Sequence, residues 1–185
     1  FDHILFLVSL LLPAVLLRRE HQWQPGERFT AAFWDVARVV TAFTVAHSIT
    51  LSIAALGVLS PPSRWLESAI AASVVLAALN NVRPVISDKR WVMAFIFGLV
   101  HGFGFAAVLA DLGLPKSDLL IALIAFNAGV ELGQLAIVAA FLPLAWWLRE
   151  GWFYRRVVLL AGSGAVVVIA TAWLIERAFD VKLFA

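Results

Sequence analysis

The chain has 185 residues, 63% apolar and 14% charged, with a mean hydropathy of +0.94. A soluble domain is nearer half apolar and one quarter charged, so a water-facing globule is excluded and the apolar surplus must face lipid. The formal net charge is only +2, and Lys and Arg gather in short connections, which argues for membrane topology and against nucleic-acid binding.

A span needs about 20 mainly apolar residues. The first candidate, Phe1 to Leu17, has no basic region ahead of it and so is not a signal peptide; an extracytoplasmic segment upstream of Phe1 is expected. Asp2 and His3 lie near its outer end, and Pro13 is placed to kink its inner end. The second, Phe33 to Leu59, carries Asp35 and Arg38 one turn apart, read as an interfacial ion pair, and His47 about midway. The third, Arg64 to Val82, ends on Asn80, Asn81 and Arg83, expected to meet lipid headgroups. The fourth, Trp91 to Leu112, holds His101 near its middle, beside Gly98 and Gly102.

The fifth, Leu119 to Leu148, places Asn127, Glu131 and Gln134 at i, i+4 and i+7, on one helix face. Gly129 and Gly133 repeat the small-residue spacing that lets helices approach closely, and Pro143 falls near the inner end. The sixth, Val157 to Ile175, contains nothing diagnostic. Pro61-Pro62, Pro84 and Pro115 punctuate the connections. The expected fold is thus all-α, a polytopic transmembrane bundle of about six helices in one domain over residues 1–185.

Orientation follows from charge. Arg18, Arg19 and Arg28, then Arg83, Lys89 and Arg90, then Arg149, Arg155 and Arg156 mark the first, third and fifth connections. Lys and Arg are retained in the cytoplasm, so both ends of the chain are expected outside, with Arg177 and Lys182 diluting the bias at the tail. His21, in the first basic loop, is read as solvated.

His47, His101, Asn127 and Glu131 are the residues lipid should reject. An imidazole or carboxylate out of water costs several kcal/mol unless it is partnered. With His3 and Asp2 they are expected in the middle to outer half of the bilayer, at a metal site. The chain has no cysteine, so its ligands must be nitrogen and oxygen, suited to Ni(II), Co(II), Zn(II) or Cu(II). The ligand set is then Asp2, His3, His47, His101 and Glu131, with Ser48, Asn127 and Gln134 supporting them. Metal must displace protons from imidazole, so uptake is expected to fall below the ordinary histidine pKa of ~6.5. The bland readings stand beside this one: a single histidine bonded to a backbone carbonyl, amides acting as interhelical glue, glycines serving packing alone.

Four strings carry a resemblance. Asp2-His3-Ile4-Leu5-Phe6-Leu7, Phe43-Thr44-Val45-Ala46-His47-Ser48-Ile49-Thr50-Leu51, Gly98-Leu99-Val100-His101-Gly102-Phe103-Gly104-Phe105 and Phe126-Asn127-Ala128-Gly129-Val130-Glu131-Leu132-Gly133-Gln134 resemble the HupE/UreJ membrane-protein family. The resemblance implies a bacterial inner-membrane protein, with members regarded as nickel or cobalt permeases serving hydrogenase or urease maturation. The family pattern also has a further histidine just ahead of the Asp-His pair, a position this sequence does not include.

A divalent-metal permease is the leading expectation. Asp2 and His3 recruit the ion from outside, and His47, His101 and Glu131 bind it at depth. A membrane-embedded zinc-dependent hydrolase, with Glu131 as base and Ser48 assisting, is the first alternative, although no HExxH motif is present. An accessory subunit of a larger membrane complex is the second, and a homo-oligomer fits either. Without a P-loop, ATP-driven transport by this chain alone is unsupported.

Overall fold

A computed structural model of the protein describes residues 2–19, 22–86, 89–111 and 116–181, with the side chains of 19, 106–111 and 116–117 left aside. The readings made for His21, Pro115 and Lys182 lie outside the described residues.

The described residues form an all-α bundle of six helices: α1 (Asp2–Leu11), α2 (Phe29–Ala55), α3 (Ser63–Val82), α4 (Arg90–Asp111), α5 (Lys116–Leu148) and α6 (Gly162–Phe179). A π-helical stretch, Tyr154–Ala161, runs into α6 without a break. Among the described residues, four segments are long and apolar enough to cross a membrane: Phe29–Ala55, Ser63–Val82, Asp118–Leu148 and Tyr154–Phe179.

The first apolar run departs from expectation. Its helix stops at Leu11 and does not continue to Leu17. Pro13 is the cause, since it has no N–H to continue the helical ladder. The chain then turns through buried residues 12–15 and leaves as an antiparallel hairpin, β1 (Leu16–Arg19) and β2 (Gln22–Pro25), with Leu16 opposite Pro25. The Leu12 carbonyl, left without a helical partner, accepts the Tyr154 hydroxyl proton at 2.8 Å. That bond ties the end of α1 to the root of α6.

The second span is displaced toward its start. It begins at Phe29 and stops at Ala55, because Gly57 takes a left-handed conformation (φ 72°) just past the helix end. Pro143 lies inside α5, which continues through it.

The tightest pairing is α2 on α4, and glycine makes it. A Cβ on Gly98 would lie 2.6 Å from the Phe43 carbonyl oxygen, and one on Gly102 would overlap the His47 carbonyl and Thr50 Oγ1. The same spacing in α5 does nothing of the kind: nothing lies within 4 Å of a Cβ built on Gly129 or Gly133. Helix α5 leans on α2 with one edge and leaves most of its surface exposed.

The basic connections share one end of the bundle. Arg149 donates to the Gly26 carbonyl at 3.2 Å, and the indole N–H of Trp23 donates to the Asn81 carbonyl at 3.0 Å. Asp35 does not pair with Arg38 as the sequence suggested. Its partner is Arg90, at 2.7 Å, which is buried and also donates to the Leu10 carbonyl. Asn81 is likewise not at the headgroups: it is buried, and its amide donates to the Ser9 carbonyl at 2.7 Å and to Ser163 Oγ at 3.2 Å. It joins α1, α3 and α6. At the opposite end Arg177 pairs with Asp2 at 2.8 Å and lies 3.8 Å from Glu67.

Candidate functional site

The first turn of α1 lies beside the middle of α2 and α4 and places His3 between two other imidazoles. The His3 ring centre is 5.7 Å from that of His47 and 4.6 Å from that of His101, both edge-on. His47 and His101 are wholly buried. The glycine seam sets this up: Gly98 and Gly102 bring the backbone of α4 onto the turn of α2 that carries His47.

Aromatic rings close the site. Phe6 lies 4.7 Å from His101, Phe105 lies 4.5 Å from His3, Phe43 stacks on His47 at 5.7 Å and Phe126 stacks on its far side at 6.5 Å. Each of these phenylalanines comes from a different one of the four strings quoted above. Their recurrence beside each polar residue was the available signal that they belong to the site.

The polar atoms inside this box are largely unpartnered. His3 Nε2, both nitrogens of His47 and His101 Nδ1 are buried without a hydrogen bond. Buried polar atoms are ordinarily satisfied, and each exception calls for an explanation. His101 Nε2, by contrast, lies 2.7 Å from Ser73 Oγ on α3. Ser73 was not foreseen, and nothing in the plain apolar third span distinguishes it.

The other expected residues are placed differently. The Asp2 carboxylate is held by Arg177. Glu131 is exposed on α5. Ser48, Asn127 and Gln134 bond the α2–α5 seam: Ser48 Oγ lies 2.7 Å from both the Thr44 carbonyl and Asn127 Oδ1, and Thr44 Oγ1 donates to Gln134 Oε1 at 3.1 Å. Among the described residues, no three His, Asp or Glu side chains converge on a point from which they hold a metal ion as they stand.

The spacing nevertheless suits imidazoles that share an ion. A metal–nitrogen distance of about 2.1 Å puts the ring centres of two such ligands roughly 5 Å apart, close to the 4.6 and 5.7 Å found here.

The family model described as HupE / UreJ protein matches residues 1–177. The chain belongs to the HupE/UreJ family. No curated protein and no solved structure matches it. The match runs through all six helices of this HupE/UreJ protein, well past the four strings, and its apolar helices make it a membrane protein.

Proposed function

We propose that this HupE/UreJ protein is a permease for a divalent transition metal, Ni(II) or Co(II) foremost, in the bacterial inner membrane. One observation supports the reading above the rest: four unpartnered ring nitrogens, from three helices, inside one aromatic box. Neutral imidazole suits these ions, with Zn(II) and Cu(II) as chemical competitors. The basic end, with Arg18, Arg90 and Arg149, is assigned to the cytoplasm. The ion then enters from the side of Asp2 and Arg177.

A dication in low dielectric needs negative charge. In this reading Asp2, next to His3, exchanges Arg177 for the arriving ion, and Glu131 contributes only if α5 moves. The imidazoles are the essential part. The test is uptake of radiolabelled Ni(II) or Co(II) into proteoliposomes. His47→Ala and His101→Ala are expected to abolish it, and wild-type uptake by either removes the proposed site. Recovery of the protein in fixed proportion with other subunits would instead make it part of a larger complex.

A further inference from the structure

We infer that Ser73 fixes the tautomer of His101, so that Nδ1 is the nitrogen turned to the site. Ser73 Oγ lies 2.6 Å from the Ile70 carbonyl oxygen and 2.7 Å from His101 Nε2. A hydroxyl has a single proton, and a carbonyl oxygen has none. At 2.6 Å from that oxygen the hydroxyl must donate to it, or two sets of lone pairs face each other. Ser73 Oγ is then left with acceptor capacity only, so His101 Nε2 must carry the hydrogen and donate it.

In neutral imidazole one nitrogen holds the hydrogen and the other the lone pair. His101 Nδ1 is therefore the bare nitrogen, and it is also the buried atom without a partner. The geometry is rigidly held. Ser73 and His101 are both fully or nearly fully buried, Phe6 covers the His101 ring at 4.7 Å, and Gly104 gives the Ile70 turn of α3 room against α4. His47 differs, since neither of its nitrogens has a partner to set a tautomer. His101 is the pre-set imidazole, and His3 and His47 adjust around it.

That Nδ1 serves a metal rests on the proposed function; the tautomer does not. Imidazoles that bind metals usually donate their other ring hydrogen to a fixed acceptor, and loss of that acceptor weakens affinity about 10–100-fold. Ser73 is in this sense a positioning residue.

The test is nitrogen NMR of the metal-free, histidine-labelled protein in nanodiscs at neutral pH, with His101 assigned by its loss in His101→Gln. The expected spectrum has a protonated Nε2 and a bare Nδ1 at His101. Ser73→Ala should mix or reverse the two forms, and Ser73→Thr should keep them. A protonated Nδ1 in the wild type, or an unchanged tautomer in Ser73→Ala, overturns the inference. Titration with Ni(II) or Co(II) then separates the two readings. Affinity about 10–100-fold weaker in Ser73→Ala supports both, whereas a wild type that binds neither ion removes the metal reading and leaves the NMR result to decide the tautomer.

Discussion

Gly102 passes so close to His47 that a single methyl group on it would overlap the His47 carbonyl oxygen and Thr50 Oγ1. The Thr50 hydroxyl can rotate away, but the His47 carbonyl is helix backbone and cannot. Gly102→Ala must therefore part α2 from α4 and carry His101 away from His47. A cost of about 3 kcal/mol is expected, at the upper end for overpacked sites. Gly133→Ala has open space and should be neutral for folding. Thermal unfolding in detergent decides this, and equal loss in the two variants would contradict the asymmetry. Should Gly133→Ala instead alter the oligomeric state, the exposed face of α5 is where copies meet.

Arg90 and Asp35 make the second prediction. Arg90 is buried and Asp35 is part-exposed, with 42% of its side chain accessible. Removing the carboxylate leaves a buried guanidinium whose remaining partner among the described residues is the Leu10 carbonyl. Breaking a fully buried pair costs about 3–5 kcal/mol, and the exposure of Asp35 lowers that, so about 1–3 kcal/mol is expected for Asp35→Asn. Arg38→Gln, at an exposed position, should stay within about 0.5 kcal/mol. Chemical or thermal denaturation of the two variants measures the difference.

That pair also shows what the sequence could and could not convey. The membrane character, the all-α class and the existence of each apolar helix follow from hydropathy, which lipid enforces residue by residue. So does the gathering of His47 and His101, since polar groups at one depth among small residues have few places to go. Partner choice is not local. Asp35 and Arg38 satisfy a one-turn rule, but Arg90 reaches Asp35 across 55 residues of chain. The two glycine pairs read identically, yet only Gly98 and Gly102 meet a neighbouring helix, because packing is decided by what stands opposite. Glu131 shares its helix with Asn127 and Gln134, but those two bond α2 while Glu131 is exposed. The shared helix was legible there, and the direction of each side chain was not.

Asn81 is the third test. Its amide donates to the Ser9 carbonyl and to Ser163 Oγ, while its own carbonyl accepts from Trp23. Asn81→Leu strands a buried acceptor on α1 and loses the link to α6. Leaving such groups unmatched costs about 1–3 kcal/mol. Asn80→Ala removes three bonds to the Val85–Ile86 loop, but all are exposed to water, and it should cost less. Proteolysis in detergent would register the difference as earlier cleavage of Asn81→Leu at the hairpin, and equal resistance in both variants would contradict the buried bridge.

The final prediction concerns how α5 is held. It meets α2 through Leu123 at one end and through Val138, Leu142 and Ala145 at the other, and between them the Ser48–Asn127 and Thr44–Gln134 bonds close the seam. Interhelical hydrogen bonds in membranes average about 0.6 kcal/mol, with a maximum near 1.7. Removing both through Asn127→Ala and Gln134→Ala should loosen the seam by about 1–3 kcal/mol. The α2–α4 pair, whose glycine packing is untouched, should survive. The chain has no native cysteine, which makes paired reporter cysteines clean to read. A disulfide between Leu51→Cys and Leu123→Cys, which meet in one apolar cluster, should form more slowly in the double variant. A control pair across Gly98 and Phe43, written Gly98→Cys and Phe43→Cys, would disturb the very seam it reports on. Val39→Cys with Ala94→Cys, which share a second apolar cluster, leaves both glycines in place and should cross-link at an unchanged rate. Equal slowing of both pairs would mean that the whole bundle, not α5 alone, depends on these two bonds.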